Sequence, residues 1–343
     1  MKASLVAAAL AAAVAMTAGP AQADTSHMRI ALSNNYAGNS WRQAMLTSWD
    51  KVTKKAVSDG VVAAADSFTT ADKEIPTQAA QLQNLILRGY NAIVIDAASP
   101  TALNGAVKAA CSAGIVVVSF DGVVNEPCAY RVGIDYAAMG KAQADYLAKR
   151  LPDGGNLLEI RGLPGTSIDD LIHSGIQKGV EEHSKFKIVH SVTGNWDEAT
   201  AQKAVATVLP SLPEIAAIVD QGGDGYGAAQ AFKAAGRKEP IIIMGNRQDE
   251  LSWWKDQHAK NGYTTWSASV TPGGVTLAFW VALQVLEGKK VPHDITYPYL
   301  AVGQDDLDTA LGATPKGSVY NIEYTQADAL KAIATSQKAQ KSS

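Results

Sequence analysis

The chain has 343 residues, 47% of them hydrophobic and 18% charged, with a formal net charge of −3. That length predicts two domains of ordinary size, each with a buried core, and the composition excludes a disordered chain. The near-neutral charge removes any bulk electrostatic drive toward nucleic acid or an anionic membrane surface.

The first residues read as an export leader. Lys2 starts it, Leu5 to Met16 is a short run of Ala, Leu, Val and Met, Pro20 breaks it, and Ala21-Gln22-Ala23 fits the small-x-small cleavage rule. Residues 1–23 are therefore expected to be a signal peptide, cut before Asp24. The other reading, a membrane anchor, meets an apolar run too short to span a bilayer comfortably. No Cys stands in the leader to carry a lipid tether. A free exported chain in a Gram-negative periplasm is the expectation. Cys111 and Cys128 are the only cysteines. In an oxidising compartment an even count suggests pairing, which would add about 3 kcal/mol by closing a small loop; two buried thiols are the alternative.

From Met28 onward a short apolar strand, a polar tip, a helix and a glycine recur. Met28 to Leu32 predicts a strand, and Ser40 to Ser58 a helix stopped by Gly60. Ile75, Ala79, Leu82 and Ile86 share one helical face, ended by Gly89. Ala92 to Ile95 is a strand, Ser99-Pro100 reads as a helix start, and Gly114 as that helix's end. Further strands are expected at 115–120, 157–160, 188–192, 215–219 and 241–244. Strands apolar on both faces and alternating with helices form parallel sheets covered by helices. There are too many units for one sheet, so two α/β lobes are expected, with a break near Gly133 to Tyr136. The tail from residue 336 is Lys-, Gln- and Ser-rich and is expected to fray.

In open α/β sheets, ligands bind outside the carboxyl ends of the strands. The residues there are Asn34, Asn35 and Tyr36, then Asp96, Asp121, Arg161, Trp196, Gln221, Asn246 and Arg247. Amides, carboxylates and guanidinium groups interleaved with aromatics suit a polyhydroxylated ligand. Hydroxyls both donate and accept, and the C–H face of a sugar ring packs on an aromatic plane. Any single Asn or Asp here could equally be a helix cap or turn former; the set carries the signal. Trp49, Trp253, Trp254 and Trp280 read as packing residues. Asp169-Asp170 reads as charge at a helix start.

Several chemistries lack their pattern. Residues 222–227 are glycine-rich but do not have dinucleotide-loop spacing, and residues 162–167 lack the Gly-Lys ending of a phosphate loop. The six histidines show no i, i+4 metal pairing and there is no nucleophile elbow, so no catalytic residue, metal or cofactor is expected. Carboxylates such as Asp96 and Asp121 keep a secreted glycosidase as a rival.

Six segments, taken in order, carry a resemblance: "IALSNNYAGNSWRQAM", "LQNLILRGYNAIVIDAASPTAL", "AGIVVVSFDG", "VGIDYAAMGKAQADYLAKRL", "IRGLPGTS" and "VALQVLEGKKVP". The chain resembles the ribose/galactose-type, or type I, periplasmic sugar-binding proteins of ABC importers, up to about Val302. The resemblance implies two Rossmann-like lobes with parallel-sheet cores, joined by a hinge of three crossing strands. It implies lobe 1 at 24–134 and 270–297, and lobe 2 at 135–269 and 298–335, with the sugar between them. It implies a polar contact at Asn39, stacking aromatics at Trp41 and Trp196, and polar contacts at Asp96, Asp121, Gln221 and Asn246 or Arg247. The ribose-type pattern has Arg directly after the Asp where this chain has Gly122, and another in the helix after "GTS". Arg42 and Arg161 are left to supply those cations. The implied work is that of a monomer that closes on a sugar or polyol and delivers it to an inner-membrane permease driven by a cytoplasmic ATPase. An amino acid, purine or autoinducer, for uptake or chemotaxis, is the alternative ligand.

Overall fold

A computed structural model describes residues 23–72 and 74–342. The expected leader, apart from Ala23, lies outside the described residues.

The first lobe opens with β1 (Arg29–Asn34), α1 (Ser40–Ser58), β2 (Ala64–Thr69), α2 (Ile75–Leu87), β3 (Ala92–Asp96), α3 (Asn104–Ser112), β4 (Val116–Phe120) and β5 (Tyr130–Gly133). The second follows with α4 (Tyr136–Arg150), β6 (Gly155–Arg161), α5 (Ser167–Glu182), β7 (Phe186–Thr193), α6 (Glu198–Val208) and β8 (Ala217–Asp220). It continues through α7 (Gly225–Ala234), β9 (Ile241–Ile242), α8 (Gln248–Asn261) and β10 (Ser267–Ser269). The chain then forms α9 (Gly274–Leu286), β11 (Asp294–Thr296), β12 (Leu300–Val302), α10 (Leu307–Gly312) and α11 (Gln326–Ser342).

The first sheet has the order β11-β5-β4-β3-β1-β2, parallel throughout. Its register sets Asn34 beside Asp96, so the polar tips of neighbouring strands end level. The second sheet, β7-β6-β8-β9, is also parallel. It is extended through a bridge between Met244 and Ser267 to β10, which pairs antiparallel with β12. The central strands are apolar on both faces because helices cover both. Ile30, Leu32, Ile93, Val94, Val117 and Val118 are almost wholly buried in the first lobe, and Leu158, Ile160, Ile218 and Val219 in the second. Each such side chain contributes about 1.5–3 kcal/mol on burial. Trp49 and Phe279 meet edge-to-face under the first sheet, and Trp254 is buried in a cluster with Leu251 and Val302. Cys111, in the last turn of α3, is disulfide-bonded to Cys128.

Three features differ from the sequence expectation. Ser99 accepts from the amides of Thr101 and Ala102 in a turn, and the helix begins only at Asn104. β2 was not expected because it is an edge strand with polar residues on both faces and no apolar run. The tail does not fray from 336 and the chain does not stay with the second lobe to 335. α11 packs on α9 and β11, with Thr296 N donating to Ser336 Oγ at 3.1 Å and Gln337 Nε2 to Lys290 O at 2.7 Å. Ala329 and Ile333, on one face of that helix, are buried in the first lobe's core.

Candidate functional site

The crossings orient the two sheets. The chain leaves the first lobe at the carboxyl end of β5 and enters the second at the N-terminus of α4, which runs back antiparallel to β6. It returns from the carboxyl end of β10 to the N-terminus of α9, and β11 leads on to β12. Each lobe therefore presents the carboxyl ends of its parallel strands toward the crossings.

In the first lobe, Asn39 caps α1, its Oδ1 accepting from Arg42 N at 2.8 Å. The cap fixes Trp41 and Arg42 in the first turn. The Arg42 guanidinium contacts the buried carboxylate of Asp96, and its Nη2 lies 3.3 Å from Asp121 Oδ2. It also stands 5.1 Å over the Trp41 ring, whose Nε1 donates to Val270 O at 2.9 Å. Asp121 ends β4 with φ of 52°, a conformation that a short polar side chain tolerates. Gly122 follows by necessity, since a Cβ there would sit 2.5 Å from Ala97 O. Tyr136 Oη donates to Asp121 Oδ1 at 3.2 Å. Burial pushes the Tyr136 hydroxyl well up, reinforced by the Asp121 charge, so it acts as a neutral donor. Burial lowers the Arg42 pKa against the opposing pull of Asp121, and a guanidinium stays charged regardless.

Asn34 is buried at the tip of β1 and donates to Tyr36 O at 2.6 Å and Thr69 Oγ1 at 3.2 Å. It organises the turn in which Tyr36 folds over Gly38. Asn35 Oδ1 is buried beside it with no hydrogen-bond partner.

In the second lobe, Arg161 at the tip of β6 holds Asp169 Oδ2 at 2.6 Å and Asp170 Oδ1 at 3.2 Å in the first turn of α5. Gln221 Nε2 donates to Asp169 Oδ1 at 2.9 Å, and its buried Oε1 has no partner. Asn195 and Trp196 both have positive φ, and this backbone lays the indole against Gly162. A Cβ at Gly162 would stand 2.3 Å from Trp196 Cε2 and 2.6 Å from Gln221 Oε1, so indole and amide meet at one strand tip. Arg247 Nη2 donates to Trp196 O at 2.6 Å, and Asn246 Nδ2 to Tyr320 O at 2.7 Å.

Below these lie three buried acids. Glu250 Oε1 accepts from Gly245 N at 3.0 Å and Gly225 N at 3.2 Å, and its Oε2 from Arg247 N at 3.0 Å. Asp220 accepts from Gly222 N, while its Oδ2 and both oxygens of Asp224 have no partner. Burial pushes the pKa of all three upward, that of Asp220 and Asp224 well above the usual range with repulsion between neighbouring acids adding to it, against the pull of Arg247 and, for Asp220 and Glu250, of backbone amides.

The structure thus gathers Arg42, Asp96 and Asp121 into one group, and Arg161, Trp196, Gln221, Asn246 and Arg247 around the facing tips. Asn39 serves as a helix cap and Asn34 as a turn organiser. Sequence reasoning missed Tyr136, Asp224 and Glu250 as parts of this architecture, and read Asp169 mainly as charge at a helix start. For Asp220 the signal was present: it stands directly after an apolar strand, as Asp96 does. Asp224 and Glu250 sit in helix starts, where an acid reads as a cap. Among the described residues, no group of His, Cys, Asp and Glu is placed to hold a metal, and no hydrogen bond or ion pair joins the Arg42 group directly to the Arg161–Arg247 group.

Residues 30–290 match the periplasmic binding protein domain. The chain belongs to that family. A solute-binding protein of an ABC transporter from Thermobispora bispora is similar at 32% identity with a TM-score of 0.82, covering 91% of this chain and 96% of that one. A xylitol-binding protein of Mycolicibacterium smegmatis is 28% identical over 253 residues, which is 71% of this chain and 70% of that protein. The ribose import binding protein of Escherichia coli is 27% identical over 180 residues, 52% of this chain and 59% of the relative's own length. As a periplasmic binding protein, the chain belongs to a family of receptors outside the inner membrane.

Proposed function

We propose that this protein captures a neutral sugar or sugar-like polyol between its lobes and hands it to an ABC permease powered by a cytoplasmic ATPase. It works as an exported monomer, with its leader removed before Asp24, and returns the ligand chemically unchanged. The observation that carries this reading is the set of unmet amide acceptors at the two sets of strand tips, Asn34 Oδ1 and Asn35 Oδ1 on one lobe and Gln221 Oε1 on the other. Buried acceptors call for donors, and a polyol brings several to both lobes at once. Trp41 and Trp196 offer apolar walls beside them. The names of the relatives, xylitol- and ribose-binding, fit the same chemistry. Arg42 and Arg161 are already matched by carboxylates, and Arg247 faces three more. None is left to clamp the carboxylate of an amino acid. A ligand touching both lobes stabilises the closed form over the open one.

A thermal-shift screen of pentoses, hexoses, polyols and lactones tests this. One or a few neutral compounds raise Tm, and amino acids do not. Asp121→Asn, which keeps the backbone conformation, weakens that ligand by about 100-fold, since a site built around a charged acceptor loses discrimination with it. A screen in which only anions or amino acids stabilise the protein overturns the proposal.

A further inference from the structure

The segment after Val302 crosses between the lobes once more, beyond the three crossings of the hinge. It starts on the second lobe, where Trp254 Nε1 donates to Gln304 Oε1 at 3.0 Å and Gln248 N to Ser318 O at 3.0 Å. Val319 then bridges Arg247, and Tyr320 exchanges two hydrogen bonds with Asn246: Tyr320 N donates to Asn246 O at 2.7 Å, and Asn246 Nδ2 donates to Tyr320 O at 2.7 Å. The next residue changes lobe. Asn321 Nδ2 donates to Ser48 Oγ on α1 at 2.6 Å, and its Oδ1 accepts from Gly273 N at 2.6 Å and Thr271 Oγ1 at 2.9 Å in the second hinge crossing. Contact there is tight: a Cβ at Gly273 would lie 1.9 Å from Ile322 O. Lys51 pairs with Glu323 at 2.7 Å, Tyr324 binds Thr276 and Trp280, and α11 docks on the first lobe.

We infer that residues 318–324 are a positioning strap for the ligand site and its closure, held to the second lobe by Tyr320 and to the first by Asn321. The inference rests on the reading of the cleft as a ligand site. Two consequences follow from the bonds. Because Tyr320 O accepts from Asn246 Nδ2, the amide is held in one orientation, with its Oδ1 and its second N–H left for a ligand. And because Asn321 ties α1, which carries Arg42 in its first turn, to the crossing at 271–273, the strap moves with both lobes. It holds the ligand-free molecule short of full opening and slows release. Closure that is partly prepared lowers the free energy the ligand must supply.

The test separates the strap from ligand identity. Asn321→Ala removes three hydrogen bonds at the crossing. Asn321→Asp retains them, since Ser48 can donate its hydroxyl to a carboxylate. Ser48→Ala removes one bond and guards against a folding defect in Asn321→Ala. Small-angle scattering on full-length, ligand-free protein reads the opening, and stopped-flow dissociation of xylitol and D-ribose reads release. Expected are a larger radius of gyration and about tenfold faster release for Asn321→Ala, a change of about threefold for Ser48→Ala, and restoration in Asn321→Asp. If neither compound binds the wild type, the neutral compound that raises Tm in the screen takes their place in the release arm; if no neutral compound does, the ligand reading fails while the scattering arm still decides the strap. Wild-type scattering in both alanine variants overturns the inference.

Discussion

The strand tips of the two lobes handle buried charge in different ways. In the first lobe one guanidinium stands between two carboxylates, Arg42 between Asp96 and Asp121, and Tyr136 donates to the outer one. In the second lobe three acids, Asp220, Asp224 and Glu250, lie under a single Arg247. The first arrangement is matched in donors, not in net charge: Arg42 and Tyr136 between them serve both carboxylates, and that pattern is in place before any ligand arrives. The second is mismatched, so protons take up the difference. One set of strand tips is therefore donor-matched and the other proton-sensitive, and the contrast can be broken from either side.

The largest effect is expected from the matched side. Arg42→Ala leaves the fully buried Asp96 carboxylate without its cation. Removing one partner of a buried pair costs about 3–5 kcal/mol, because the remaining charge stays desolvated. Tm should fall by several degrees or more, and isothermal titration should show no sugar binding. If Arg42→Ala melts like wild type, the pair does not hold the first wall together.

The mismatched side should respond in the other direction. Asp220→Asn keeps the acceptor for Gly222 N and replaces an unmet oxygen with a donor facing other acids. A folded-state pKa above the unfolded value means stability that is present at low pH and lost as pH rises through the folded pKa. The substitution removes that loss. Tm should rise by about 2–4 °C at pH 9, or about 1 kcal/mol, and by less at pH 5. A variant that is destabilised at alkaline pH would show that the acids of the second lobe are satisfied in a way their hydrogen bonds do not reveal.

How far the sequence anticipates this architecture follows from where each residue's information lies. Asp96 and Asp121 stand directly after runs of apolar β-branched residues, so strand pattern and topology place them together at one sheet edge. Asn39 is legible as the cap of a helix whose bounds, Ser40 to Ser58, can be read from periodicity and Gly60. The Arg42 pairing is less so, since an arginine in a first helical turn opposes the helix dipole, and only the tertiary position of two acids makes it favourable. Trp196 depends on two successive positive φ values that no local signal announces. The strap was illegible for a different reason. Tyr320 and Asn246 are 74 positions apart, and Tyr320 takes part only through its backbone N–H and C=O, which every residue possesses. The stretch before the tail, expected to stay with the second lobe, carries Ala329 and Ile333, too few apolar residues to announce a stripe yet enough to bury against the first lobe.

The smallest expected effect sharpens the comparison at the rim of the second wall. Glu198, in the first turn of α6, has its pKa raised from 4.5 to about 7, first by burial, then by a hydrogen bond with Asp249 and the negative charge of Asp249, against the pull of Arg247. The native state thus holds a proton there that the unfolded chain has released, so Glu198 supports the fold below pH 4.5 and that support fades as pH climbs toward about 7. Above that window the two carboxylates repel across the entry to Arg247. Glu198→Gln mimics the protonated form at every pH. Its Tm profile should be flatter than wild type between pH 4.5 and 7, with the curves converging at the acid end and the variant higher at the neutral end. The group is partly solvated, so solvent screening keeps the separation below that of Asp220→Asn. Parallel Tm curves for the two proteins would mean that the proton uptake of the second wall is confined to Asp220, Asp224 and Glu250, and that the rim behaves like the matched side.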